Sequence, residues 1–185
     1  MPRKTLAVLL SLLLIGPAFA QHAHGPRQAP YAGLDRRDVK ALSDEQIADL
    51  RAGRGMGLAL AAELNGYPGP LHVLEHADAL ALSPEQRTRV QALFDAMKAE
   101  AVPLGERLIA EEAGLDRLFA DRTVTADSLD RATAGIGRTQ AALRAAHLRY
   151  HLATTDVLTP AQIGRYAELR GYAGGSRGRH PAGHR

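Results

Sequence analysis

The residues in this chain best equipped for chemistry are histidines. There are eight, and four of them form two pairs at a spacing of four, His72 with His76 and His147 with His151. On a helix that spacing puts both imidazoles of a pair on one face, about one turn apart. Two neutral rings so placed can share one Zn²⁺, Ni²⁺, Co²⁺ or Cu²⁺. Helical-wheel geometry sets His72 and His76 at the border of the stripe of Val73, Ala77 and Leu80. It sets His147 in line with Leu129, Ile136, Leu143 and Tyr150, with His151 just beside it. A histidine on an apolar helix edge commonly just packs, but two pairs at equivalent points of one chain make a metal site the reading to test. His22, His24, His180 and His184 lie near the ends and read as solvated. The letters His72-x-x-Glu75-His76 also spell the inverted zinc-peptidase signature, two ligands and a general base. Such a site needs a third ligand and a walled cleft, for which a small Ala/Leu-rich helical chain has little volume. No nucleophile elbow surrounds any serine. The chain is therefore read as a non-enzyme, with a zinc peptidase as the remote alternative.

The elements that must position these rings are all helical. Ser43-Asp44-Glu45-Gln46 is a capping box that starts a helix carrying Ile47, Leu50, Met56, Leu58, Leu60 and Leu64. Gly53, Gly55 and Gly57 weaken it by about 1 kcal/mol each relative to Ala. Asn65 to Pro70 is a stop and turn, and a helix over 71–81 carries the first histidine pair. In Leu82-Ser83-Pro84-Glu85-Gln86 a hydroxyl N-cap, a proline at N1 and a Gln at N3 open a long helix running to about Asp121. Pro103 lies inside it and should bend it. After the turn at 122–125, Thr125 with Ser128 opens the helix of the second histidine pair, which runs to about Asp156. Leu158-Thr159-Pro160-Ala161-Gln162 opens a last short helix ending near Gly171. No stretch alternates with the period of a strand. The predicted fold is all-α: four to five helices forming a long bent antiparallel helical hairpin over 43–172.

The ends frame that domain. Arg3 and Lys4, the apolar run from Leu6 to Ile15 and the small residues of Ala18-Phe19-Ala20 read as a signal peptide over 1–20, cleaved between Ala20 and Gln21. The run is shorter than the ~20 residues a membrane anchor needs, so the mature chain is expected to be exported without membrane insertion. Residues 21–42 read as a flexible lead and 173–185 as a disordered basic His/Gly-rich tail. The net charge of +3 comes from the ends. Arg3 and Lys4 leave with the leader, and Arg177, Arg179 and Arg185 sit in the tail. A nucleic-acid binder needs its basic stripe on the folded part. There is no cysteine and no tryptophan, so neither disulfides nor thiols contribute.

The two helix starts carry a resemblance. Leu82, Ser83 and Gln86 in the first and Leu158, Thr159 and Gln162 in the second follow a repeated LTxxQ pattern, bracketing a long hairpin. Over residues 43–172 the chain resembles the Spy/CpxP family of bacterial periplasmic proteins, including the metal-linked branch typified by ZraP and CnrX. The resemblance implies a cradle-shaped helical hairpin that dimerises antiparallel. It implies a role as a periplasmic stress accessory protein: an ATP-independent chaperone for unfolded clients, a modulator working through an envelope-stress or metal-signalling membrane partner, or a sensor of heavy-metal ions. In the metal-sensing members an HxxxH pair precedes the first motif, as His72 and His76 do here. Those members add a carboxylate from the long helix, for which Asp95 and Glu100 are the nearest candidates, and a His/Met pair where this chain has His147 and His151. The remaining alternative is a structural or interaction module that binds neither metal nor client.

Overall fold

The computed structural model describes residues 30–172. The expected leader with its Ala20–Gln21 cleavage point, residues 21–29 of the lead and the tail lie outside the described residues. After a single 3-10 turn at Leu34–Arg36 come six α-helices: α1 (Asp44–Ala52), α2 (Leu60–Glu63), α3 (Pro70–Glu75), α4 (Pro84–Ala120), α5 (Ala126–Thr155) and α6 (Pro160–Leu169). Long α4 and α5 pack on each other as the predicted hairpin. α1 lies on α4, α2 on α5, and α3 on both. α4 stays continuous through Pro103.

The element count exceeds the expected four to five because the first predicted helix breaks. Gly53 adopts φ 65° at the end of α1, and its N–H closes the turn onto Asp49 and Leu50. Only α2 re-forms before the turn at residues 64–69. α3 also stops early, at Glu75 rather than at residue 81. Val39 is buried in the core and Lys40 Nζ donates to Asp116 Oδ2 at 2.9 Å, so residues 39–42 are docked rather than loose.

All four predicted capping boxes form, on Ser43, Ser83, Thr125 and Thr159. The two LTxxQ-like copies do more than start helices. In each, the glutamine Oε1 accepts from its own N-cap backbone N–H, Ser83 at 3.0 Å and Thr159 at 2.9 Å. The amide nitrogens then cross to the other copy. Gln86 Nε2 donates to Val157 O and to Gln162 Oε1, and Gln162 Nε2 donates to Leu80 O and to Gln86 Oε1. Residues 71 and 76 positions apart in sequence are thereby locked together, and only an amide has both the acceptor and the donor needed.

Two apolar clusters flank the middle of the hairpin. One gathers Val73, Leu80, Leu82, Val90, Val157, Leu158 and Tyr166 around the motif copies. The other gathers Val39, Leu50, Ala101, Leu108, Ile136 and Leu143. Fully burying each large aliphatic side chain stabilises the fold by roughly 1.5–3 kcal/mol. α1 reaches the second cluster only because position 105 is glycine: a Cβ there would stand 2.5 Å from the Leu50 carbonyl oxygen. Along α4, Met97 falls between Val90 of one cluster and Ala101 of the other. Along α5 and the turn that follows it, His147 and His151 fall between Leu143 and Val157. Among the described residues, no helix is long and apolar enough to cross a membrane.

Candidate metal centre

A cleft of about 440 Å³ opens at this junction. Its lining includes His72 from α3, His147 and His151 from α5, Met97 from α4, and Gly55, Met56 and Gly69 from the connecting turns. Both histidines of the second pair lie on one face in the C-terminal third of α5, still inside the regular helix, where the spacing of four holds. The first pair is split. α3 ends at Glu75, and His76 has already left helical geometry, with φ −104° and ψ 15°. His76 packs edge-on against Tyr166, ring centroids 6.4 Å apart, and does not line the cleft. Once the helix stops, the one-face rule no longer applies. The same split separates the letters of the zinc-peptidase signature: Glu75 is tied to His72 while His76 faces elsewhere.

The imidazoles in the cleft are oriented by what holds their far nitrogens. His151 Nδ1 stands 2.7 Å from Tyr67 O. A carbonyl oxygen only accepts, so Nδ1 carries the proton and Nε2 keeps its lone pair. His72 Nδ1 donates to Glu75 Oε2 at 2.8 Å, which likewise leaves Nε2 free in the neutral ring. A histidine held by carbonyl or carboxylate at one nitrogen, with the other free, is the arrangement metal ligands use. His147 is 3 % exposed, and its Nε2 is buried without a hydrogen-bond partner. An unpaired buried polar atom costs on the order of 1–3 kcal/mol. Burial, and secondarily the neighbouring His151, pushes the His147 imidazole below its ordinary value of 6.5, so it is neutral at neutral pH. Gly69 makes room for the His151 ring: a Cβ there would meet Nε2 at 2.7 Å and Cε1 at 2.8 Å.

The carboxylates do not complete a ready-made cage. Asp95 accepts from Gln91 and Glu100 pairs with Arg149, and neither lines the cleft. Asp49 does, but it is engaged by Arg54 at 2.5 Å. Among the described residues, no group of three or more His, Asp or Glu is arranged to hold one ion. The side of the site that spacing alone did not point to is buried Glu63. Its Oε1 accepts from Tyr166 Oη at 2.5 Å and Tyr172 Oη at 3.1 Å, with Arg170 Nε at 3.4 Å. Its Oε2 has no hydrogen-bond partner and lies 3.7 Å from His151 Nδ1. This carboxylate links α6 and the residues after it to the back of a cleft histidine. Glu63 carries no spacing signal, and Met56 and Met97 read only as members of apolar helical stripes. The Gly55-Met56-Gly57 run read only as a weak stretch of helix.

No curated protein and no solved structure matches the chain. Residues 56–165, more than half of the chain, match the heavy-metal-resistance family. That span runs from the turn at Met56 through both long helices into α6, and so contains every histidine of the cleft. The all-α hairpin, the crossed LTxxQ-like copies and this match agree: the chain belongs to the heavy-metal-resistance family of Spy/CpxP/ZraP-like helical proteins.

Proposed function

We propose that this protein is an exported, periplasmic heavy-metal-binding protein, without catalytic activity, that takes up a transition-metal ion in the cleft between α3, α4 and α5. The observation that carries the reading is His147 Nε2, a neutral, buried, unpartnered nitrogen in a cleft that His72 and His151 also line. His151 adds a second nitrogen, Nε2, with the ring's proton held at Nδ1 by Tyr67 O, and part-buried His72 lines the same cleft with its Nδ1 held by Glu75. His76 is left as a packing residue. The pattern of residues 1–20 supports export. The family resemblance supports a homodimer and a membrane-bound signalling partner, with the bound ion changing what that partner receives.

Calorimetric titration of the purified protein with Zn²⁺, Ni²⁺, Co²⁺ and Cu²⁺ tests the reading, in a background where His22, His24, His180 and His184 are Ala. Binding should weaken as pH falls through the imidazole range near 6.5, and His147→Ala should lower affinity at least tenfold while His76→Ala does not. Equal affinities in all three proteins would refute it. A second reading, capture of unfolded clients, is supported by exposed Met56, Leu60, Leu64, Tyr67 and Leu71 within one short stretch, since clustered exposed apolar residues mark contact surfaces. Failure to slow aggregation of a denatured client at equimolar ratio would dispose of it.

A further inference from the structure

The chain has three methionines. Apart from Met1, both of them, Met56 and Met97, line the same cleft as the three histidines. Neither belongs to the two apolar clusters, although Met97 is only 6 % exposed. A buried methionine normally fills a core gap; this one belongs to neither cluster and lines the cleft with the imidazoles. Met56 is the more unusual of the two. Its backbone has φ 43°, the left-handed region that an unbranched L-residue enters at a cost. It stands between Gly55 and Gly57, and 42 % of it is exposed. Residues held in disfavoured backbone regions concentrate at ligand clamps. Gly55 beside it brings the turn against His147: a Cβ there would lie 3.7 Å from Nδ1.

The remaining donors narrow the chemistry. The cleft's one carboxylate, Asp49, is bound to Arg54, and Lys98 also lines the cleft. What is left to hold an ion is uncharged: imidazole nitrogen and thioether sulfur. Neutral donors beside the Lys98 cation offset a single positive charge far better than two, and the desolvation of a dication is the harder to repay. Thioethers are soft and select Cu(I)-like ions over Zn²⁺, Ni²⁺ or Co²⁺.

We propose that the cleft is selective for soft monovalent ions, Cu(I) and its redox-inert analogue Ag⁺, bound by the thioethers of Met56 and Met97 together with the imidazoles of His147 and His151. This rests on the reading of the cleft as a metal site and specifies its ion. Ag⁺ and Zn²⁺ titrations of the protein and of Met56→Leu, Met97→Leu and the double variant test it, in the same background lacking the terminal histidines. They are combined with NMR of methionine methyl groups labelled with ¹³C. Leu for Met conserves volume, and Met56→Leu alone changes a side chain outside both apolar clusters, so one variant folds whatever Met97 contributes to packing.

The expected result is Ag⁺ binding at least tenfold tighter than Zn²⁺, shifts of the Met56 and Met97 methyl signals with Ag⁺ but not with Zn²⁺, and an Ag⁺ affinity at least tenfold lower in the double variant with Zn²⁺ affinity unchanged. Ag⁺ affinity that is unchanged in Met56→Leu and in the double variant, with unmoved methyl signals, overturns the thioether proposal and leaves an imidazole metal site standing. No binding of either ion to the unsubstituted protein overturns both.

Discussion

Replacing Gln86 by glutamate tests how the hairpin is closed. The substitution keeps the size of the side chain and the acceptor that completes the capping box on Ser83, but removes the amide donor. Two bonds disappear, to Val157 O at 2.9 Å and to Gln162 Oε1 at 2.8 Å. Each is worth about 0.5–1.5 kcal/mol net. Their part-buried acceptors are left facing a carboxylate oxygen instead of a donor, for which on the order of 1–3 kcal/mol is added. Gln86→Glu should therefore destabilise the protein by about 3 kcal/mol at pH 7. For a chain of this size that lowers the melting temperature by roughly 10 °C. Urea unfolding followed by circular dichroism measures it. Below the carboxylate range the introduced group takes up a proton and regains a donor, so the gap to the unsubstituted protein at the same pH should narrow by pH 4. Gln162→Glu should behave alike through its own two bonds, to Leu80 O and Gln86 Oε1, and the two changes together should cost more than their sum because they set two carboxylates face to face. A loss below 0.5 kcal/mol at pH 7, or a gap that is the same at pH 4, would show that the crossed amides are not what joins the motif copies.

Two further outcomes follow from the cleft. Gly69 has ordinary backbone angles, φ −84° and ψ 150°, so Gly69→Ala is opposed only by the 2.7 Å approach to His151 Nε2. Displacing that ring from Tyr67 O should cost about 1–3 kcal/mol of stability and roughly tenfold or more in metal affinity by calorimetry; a variant that binds metal normally contradicts the role given to His151. His147 is buried with its proton affinity lowered. Below pH 6.5 the unfolded chain binds a proton at this ring that the folded one refuses. The stability due to keeping it neutral is thus fully present above 6.5 and is lost as pH falls through the lowered folded value. His147→Leu should flatten the decline in stability between pH 7 and 5, read from urea midpoints, and an unchanged slope would place the decline elsewhere.

What could be read from the chain alone was whatever neighbours in sequence decide. Ser43, Ser83, Thr125 and Thr159 start helices because hydroxyl and N3 partner lie three residues apart. The pairing of His147 with His151 survived because both stand in the interior of a long regular helix. The LTxxQ-like copies were legible as a pair for the same reason, and with them the family and the hairpin. Short-range reasoning weakened wherever an element's end was set by packing. α3 stops at Glu75, which turns His76 away to Tyr166, and Gly53 ends α1, which turns Met56 into the cleft. Tertiary structure alone decided that Gln86 and Gln162 share their amides, that buried Glu63 stands behind His151, and that the gap between two apolar clusters collects His72, His147, His151, Met56 and Met97. These contacts join residues up to about a hundred positions apart. Their partners are chosen by which faces α4 and α5 press together, and no local spacing in the sequence encodes that choice.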